Sequence, residues 1–415
     1  MGILINPSKV CGSVKVPGSK SLTHRALICA ALGKTTSTIS NACFCDDTII
    51  TIKFLENIGV RFDIDYDSNT ITIYPPHAFN KPKEIINGHN SGSSIRFIAP
   101  IYWELFHEFI VYVDKRMFDR LTLTTNPTDL SFTILKESKE SYLISFSFKN
   151  LNNLINNEKT SQYTSGIILS TIIGQNKGYY INSSILKNPY VRMTLGVMQE
   201  YNITYKIAGN YFSDTKINNS PANYLIESDY SAASNFLVMG CLNGDVKCEG
   251  LKCLSLQGDS KIINYLTQMK AHIFINDLNI EASTSCMSPC NFDLSDTPDL
   301  IPLMAALLVV TTGKSEIRGI EKLTYKETDR LKETINLLTE LGGNIKLKDN
   351  TLIIQGQTKL LNKSSIIIPN DHRLLMMVVA ISSRFSNPIK LINTESINKS
   401  YPNFINDYEQ LRSKK

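Results

Sequence analysis

The sequence predicts an α/β protein of two similar inside-out domains, each built from three β-α-β-α-β-β repeats with buried parallel helices, and with a ligand cleft between the domains. Three observations predict it. A chain of 415 residues is too long for one hydrophobic core, and 42% hydrophobic with 20% charged residues is a globular composition. One phrase, small or acidic polar residues leading into a run apolar on nearly all sides, opens at Ser21, Ser91, Ser161, Ser231, Asp299 and Asp371. The successive spacings are 70, 70, 70, 68 and 72 residues, so six units fill almost the whole chain.

Within a unit the elements follow from their patterns. The run after each opening, such as RALICAALG or LIPLMAALLVV, is apolar on every face and predicts a buried helix. A second helix is apolar on one face only: Leu331, Ile335, Leu338 and Leu341 recur at helical spacing, so that helix packs on a core and keeps its other face wet. TITIY at 70–74 and TLIIQG at 351–356 alternate with period two and predict strands. If the buried helices run parallel, their unpaired N–H groups and positive dipole ends emerge together and attract anions. Two such ends facing one another make a cleft for a strongly anionic ligand.

Charge and composition exclude other classes. A formal charge of +5 without any run of five or six Lys or Arg argues for local anion sites and no nucleic-acid face. The start MGILINPSKV has no signal-peptide core, and Pro302 interrupts the longest apolar stretch, so the expectation is a cytoplasmic protein with no membrane association. Nine Cys without a C-x-x-C pair read as free thiols in a reducing compartment, and six scattered His offer no metal spacing, so no metal site is expected.

The openings hold the candidate chemistry. Lys20, Ser21 and Arg25 stand at the first, where Ser19 precedes the lysine and rules out a Walker A loop. The second offers Asn90, Gly92 and Arg96, followed by Arg116 and Arg120; glycine admits close approach, and arginine grips phosphate or carboxylate with two parallel bonds. The third carries Ser161 and Gln162, the fifth Asp299, then Lys326, Glu327, Asp329 and Arg330, and the sixth Asn370, Asp371, His372 and Arg373, with Lys399 beyond. Each string alone also reads as structure: KETDR as a capped helix start with exposed pairs, NDHR as a capped helix, Lys399 as a surface charge. Their joint placement at repeat openings favours a site.

The strings PGSKSLTHRA, NSGSSIR, RMFDR, TSQ, QGD (257–259), YKETDR and NDHR, in this order over nearly the full chain, resemble the 5-enolpyruvylshikimate-3-phosphate synthase family. The resemblance implies transfer of the enolpyruvyl group of phosphoenolpyruvate to the 5-hydroxyl of shikimate 3-phosphate, in chorismate and aromatic amino acid synthesis, with no cofactor. It implies a monomer with one domain of residues 1–18 plus 229–415, a second of 19–228 that binds shikimate 3-phosphate, and hinges near 18 and 228. By the same resemblance Lys20, Ser21, Arg25, Thr160, Ser161, Gln162, Tyr190, Asp299 and Lys326 bind shikimate 3-phosphate. Lys20, Asn90, Gly92, Arg116, Gln162, Arg330, His372, Arg373 and Lys399 surround phosphoenolpyruvate. Asp299, Glu327 and Lys20 are the implied catalytic groups, with Asp299 assigned to the hydroxyl proton, Glu327 to the methylene, and Lys20 or His372 to phosphate departure.

Four positions depart from the family pattern: Lys187, Lys322 where relatives carry a shikimate-binding Asn, Phe97 and Ser93. Glyphosate response is left open by the last two. Two rival readings stand beside this one. The sister transferase acting on UDP-N-acetylglucosamine has a Lys-Asn pair and a loop Cys, where this chain has Lys20-Ser21 and no Cys in 110–125. A non-catalytic anion sensor would not need Asp299 and Glu327.

Overall fold

The apolar runs form helices on schedule. The computed structural model describes residues 2–157, 159–174 and 177–413. Its chain divides into a unit Gly18–Ile226 and a discontinuous unit of Met1–Pro17 with Glu227–Lys415. The unit Gly18–Ile226 contains α1 (Lys20–Ala31), α2 (Asp46–Asn57), α3 (Gly92–Phe106), α4 (Lys115–Thr124), α5 (Leu151–Asn157), α6 (Gln162–Ser170), α7 (Ser183–Leu186) and α8 (Pro189–Glu200). Every residue of α1 from Leu22 to Ala31 and of α6 from Tyr163 to Ser170 is buried, as is α3 from Ser94 to Tyr102. By contrast α4 buries only Met117, Arg120, Leu121 and Thr124. Burying a Leu, Ile or Phe side chain contributes about 1.5–3 kcal/mol, so these inner helices carry most of the core.

Sheets surround the inner helices of this unit. One has the order 223–225, 37–40, 70–74, 61–65, with only the first pair parallel. The second places 141–148 between 110–114 and 130–137, and a single parallel bridge, Asn87 to Tyr112, stands where a first strand would pair. The third runs 203–208, 211–217, 179–180. The third repeat differs from the predicted pattern, because α5 precedes its inner helix and no first strand pairs there among the described residues. In LNNLINN the apolar Leu151, Leu154 and Ile155 fall at helical spacing, and the last two are buried.

The discontinuous unit contains α9 (Tyr230–Asn243), α10 (Ile262–Gln268), α11 (Ile301–Val309), α12 (Arg330–Glu340), α13 (His372–Ala380) and α14 (Phe404–Ser413). All of α11 is buried, and α9 and α13 nearly so, whereas α12 buries one face through Leu331, Thr334, Leu337 and Leu338. Strand 10–15 lies parallel to 244–249, 292–293 to 313–318, and 365–367 to 389–392. Gly2–Ile5 pairs antiparallel with Ile389–Ile392, so the first strand of the chain completes the last repeat. The two chain crossovers are tied inside this unit: Ser228 Oγ donates to the Val16 carbonyl at 2.9 Å and the Asp229 N–H to the Pro17 carbonyl at 2.9 Å. Gly18 begins the other unit, and a Cβ there would lie 1.7 Å from the Asn41 carbonyl oxygen, so only glycine fits. Among the described residues no helix is long and apolar enough to cross a membrane.

Candidate active site

In the unit Gly18–Ile226 the first turns of α1, α3 and α6 meet at one end. Gln162, the first residue of α6, donates from Nε2 to Ser93 Oγ at 3.0 Å and accepts at Oε1 from Arg96 Nη1 at 2.7 Å. Ser94 Oγ donates to the Asp47 carbonyl at 2.7 Å, and the Asp47 carboxylate holds Lys20 Nζ at 2.8 Å. Three helix N-termini therefore open beside a lysine, an arrangement that attracts anions.

Arg25 sits one turn further in and is 3% exposed. Its Nε donates to Thr194 Oγ1 at 2.8 Å, Nη1 to the Ser21 carbonyl at 2.7 Å and Nη2 to the Tyr190 carbonyl at 3.1 Å. The guanidinium also lies 4.9 Å from the Phe97 ring centroid. These partners are neutral, and burial pulls its pKa down to about 10, against smaller opposing effects of Tyr190 and Cys29. A buried cation held by neutral oxygens gains from an incoming anion.

Gly92 shapes the neighbouring corner. A Cβ there would lie 2.7 Å from Arg120 Nη2 and 2.9 Å from Arg96 Nη1, so any side chain would fill the space where two guanidinium groups converge. Arg120 Nη1 donates to Asn90 Oδ1 at 2.5 Å and to its carbonyl at 3.0 Å. Arg116, half-buried, stands one turn before Arg120 on α4. Ser161 is the residue before α6, Thr160 Oγ1 accepts from the Gln162 N–H at 3.3 Å, and Tyr190 lies partly buried at the start of α8.

The discontinuous unit builds a second constellation on one guanidinium. Arg330, 1% exposed, donates from Nε to Asp371 Oδ2 at 2.7 Å, from Nη1 to Asp299 Oδ1 at 2.8 Å, and from Nη2 to Glu327. Lys326 Nζ is 3.0 Å from Asp299 Oδ1, Arg373 Nη2 3.3 Å from Asp299 Oδ2, and Lys399 Nζ 3.9 Å from Glu327 Oε1. Asp371 caps α13 by accepting from the Arg373 N–H at 3.0 Å, which fixes His372 in the buried first turn. The entrances of α9, α11 and α13 line a small cavity through Ser231, Asn235, Asp299, Leu300, Arg373 and Met376.

Electrostatics separate the acids of this cluster. Burial works to raise the Asp299 carboxyl, but Arg373, Lys326 and Arg330 outweigh it and hold the group well below the usual carboxylate range. Asp259, bonded to Ser231 Oγ, is pushed up to about 6 by burial and by the nearby Asp299 charge, with Arg373 and Ser231 opposing. One acid of the cluster is thus firmly ionised while another titrates near neutrality, the separation that acid–base sites exploit.

The family model described as EPSP synthase (3-phosphoshikimate 1-carboxyvinyltransferase) matches residues 5–408. The chain belongs to the EPSP synthase family. The 3-phosphoshikimate 1-carboxyvinyltransferase of Clostridioides difficile is 31% identical over 436 residues, covering 99% of this chain and 98% of that protein. The protein of the same name from Brachyspira hyodysenteriae is 30% identical over 427 residues, covering 100% of this chain and 99% of that one. An EPSP synthase structure from Acinetobacter baumannii superposes with a TM-score of 0.74 at 19% identity, covering 99% of this chain and 98% of that one. The enolpyruvyl transferase NikO of Streptomyces tendae reaches 0.73 at 13% identity, over 98% and 96% of the two chains. The repeat-built α/β fold expected from the sequence is the fold of these enzymes.

Family membership leaves the individual residues to be located by geometry. Lys20, Ser21, Thr160, Ser161, Gln162, Tyr190, Asn90, Gly92 and Arg116 lie at helix entrances of Gly18–Ile226 and Arg25 one turn inside α1, while Asp299, Lys326, Glu327, Arg330, His372, Arg373 and Lys399 lie in the other unit. Arg96 and Arg120 turn inward, Arg96 also donating to the Arg120 carbonyl at 2.9 Å. Sequence gives no role to Asp47 against Lys20 or to Asp259 beside Asp299, and it sets Asp371 at the sixth opening without its partner Arg330. Asp47 stands in an acidic helix start that reads as dipole compensation, and Asp371 in a cap, so both carry a signal with a local explanation. Of the departures, Lys187 is exposed beyond α7, and Lys322 Nζ donates to the Ser295 carbonyl at 3.2 Å.

Proposed function

We propose that the protein transfers the enolpyruvyl group of phosphoenolpyruvate to the 5-hydroxyl of shikimate 3-phosphate, with release of phosphate by addition and elimination. In this reading Lys20, Ser21, Arg25, Thr160, Ser161, Gln162, Tyr190, Asp299 and Lys326 hold shikimate 3-phosphate. Lys20, Asn90, Gly92, Arg116, Gln162, Arg330, His372, Arg373 and Lys399 hold phosphoenolpyruvate. Both substrates carry phosphate and carboxylate, which suits helix entrances furnished with Lys and Arg. The protein acts in the cytoplasm as a single chain.

The observation that carries the mechanism is the sharing of Arg330 between Asp299 and Glu327. Asp299, ionised in the free protein, accepts the 5-hydroxyl proton. Its proton affinity rises as the anionic substrates draw Arg330, Arg373 and Lys326 toward themselves. Glu327 delivers a proton to the methylene carbon in the addition and removes one in the elimination. Lys20 or His372 assists the departing phosphate.

A phosphate-release assay tests the reaction. Release is expected only with phosphoenolpyruvate and shikimate 3-phosphate together, and not with shikimate or UDP-N-acetylglucosamine as acceptor. Release with the nucleotide sugar alone as acceptor would replace this reading with the sister reaction.

Gathering several like-charged ligands between cationic helix entrances favours closure on binding, with hinges proposed at the crossovers near 18 and 228. Small-angle scattering is expected to show compaction when both ligands, or one with an inert analogue of the other, are added. An unchanged scattering curve at saturation would remove the hinge from the mechanism.

A further inference from the structure

His24 is 1% exposed inside α1 and has no part in the transfer reaction as read above. Its ring joins a chain of buried hydroxyls. His24 Nδ1 lies 2.8 Å from Thr51 Oγ1 on α2, and Thr51 Oγ1 lies 2.9 Å from Ser94 Oγ on α3. Ser94 Oγ in turn lies 2.7 Å both from the Asp47 carbonyl oxygen and from Ser91 Oγ. Thr51 and Ser94 are 0% and Ser91 1% exposed, so the contacts are made away from solvent, where a missing partner is costly.

Each hydroxyl carries one proton, and counting them sets the direction of every link. The Asp47 carbonyl only accepts, so Ser94 spends its proton there. Thr51 and Ser91 must then both donate to Ser94. With its own proton spent, Thr51 can only accept from the ring, which puts a proton on His24 Nδ1. The other neutral tautomer would set two lone pairs against each other at 2.8 Å and place a proton on Nε2, which has no partner among the described residues. Burial, with Lys20 and Arg25 and against Asp47, holds the ring's pKa down to about 3, so the imidazole is neutral. We propose that His24 is a positioning residue for phosphoenolpyruvate: its Nδ1–H starts a one-way hydrogen-bond chain through Thr51 and Ser94 that fixes the backbone at Asp47 and the hydroxyl of Ser91. The Asp47 carboxylate holds Lys20 at 2.8 Å, and Ser91 stands between Asn90 and Gly92. One buried ring thereby sets the entrances of α1, α2 and α3 relative to one another.

The kinetic consequence rests on the reading of Lys20, Asn90 and Gly92 as phosphoenolpyruvate-binding groups; the direction of the chain does not. In protein labelled at histidine, the ring nitrogen resonances of His24, assigned by their absence from His24→Asn, should show Nδ1 protonated and Nε2 bare, unchanged between about pH 5 and 8. A proton on Nε2, or a ring that titrates in this window, overturns the chain. His24→Leu and Thr51→Val keep side-chain bulk but break the first link from either side. Each should raise KM for phosphoenolpyruvate about tenfold and leave KM for shikimate 3-phosphate within about threefold. His24→Asn, whose amide can donate to Thr51 in place of Nδ1–H, should stay within about threefold of the native protein in both. Because the links act as a unit, His24→Leu combined with Thr51→Val should be no worse than the worse single change. Equal rises in both KM values, His24→Asn as impaired as His24→Leu, or additive losses in the double variant would reduce the ring to packing and overturn the positioning role. The resonances are read on the native fold, so they decide the chain even where His24→Leu does not fold, and Thr51→Val then carries the kinetics. A native protein inactive with both substrates would instead count against the transfer reaction, while the resonances still decide the chain.

Discussion

Glu327→Gln is expected to lower kcat by about 10²–10⁴-fold, the range for loss of a positioned proton donor or acceptor. The amide keeps the size of the side chain and can still accept from Arg330, so the fold and the guanidinium position should survive. What it cannot do is exchange a proton with the methylene carbon. The decisive readout is therefore exchange as well as turnover. In deuterated water the native protein should incorporate label at the methylene of phosphoenolpyruvate or product, and the variant should not. Near-normal turnover with undiminished exchange would move the role to another group, with Lys20 and His372 next in line. The opposite assignment, in which Asp299 serves the methylene, predicts that Asp299→Asn abolishes exchange while Glu327→Gln retains it.

Legibility of the fold follows how local each feature is. Strands 70–74 and 351–356 appear with the bounds read from their alternation, because burial on a sheet alternates with the same period. The inner helices are legible because nothing but a fully enclosed helix needs apolar residues on every side. Gly2–Ile5 is different: its partner Ile389–Ile392 lies at the far end of the sequence, and four residues hold too little pattern to announce a pairing. The α5 segment also escapes the repeat grammar, since Leu151, Leu154 and Ile155 obey helical spacing where the repeat called for a strand.

The site divides along the same line. Cations at helix entrances are readable because the entrance marks the place and the repeat supplies six of them. Their carboxylate partners are not, since Asp47 lies 27 positions from Lys20 and Asp371 41 from Arg330. Each acid has a sufficient local reason to stand at a helix start, and only tertiary packing adds the second role. Arg96 and Arg120 show the converse, since sequence sets them beside Asn90 and Gly92 while the fold spends much of their bonding on Gln162, Thr124 and Asn90.

Arg330→Met is expected to cost about 3–5 kcal/mol of stability, the loss typical when one partner of a buried ionic cluster is removed. The substitution keeps an unbranched chain of similar reach but leaves Asp371, which is 0% exposed, without its guanidinium, and strips one cation each from Asp299 and Glu327. Chemical denaturation should show the loss as a lowered midpoint with an unchanged slope. The acid limb gives a further reading. Asp299 is held below its ordinary value in the folded native protein, so its stabilising contribution is present above about pH 4 and is lost as pH falls through the folded value. Asp259 acts in the other direction: raised to about 6, it binds its proton more tightly folded than unfolded, so stability rises as pH falls from 7 toward 5. The Asp259 gain on mild acidification is opposed over the same range by His24, which burial holds down to about 3 so that the unfolded chain takes up its proton first, and a further loss is expected below about pH 4 as Asp299 protonates. In Arg330→Met the depression of Asp299 shrinks, and the loss should begin at higher pH and be shallower. A variant as stable as the native protein at neutral pH, with the same acid limb, would mean that burying Arg330 costs as much as its three carboxylates return.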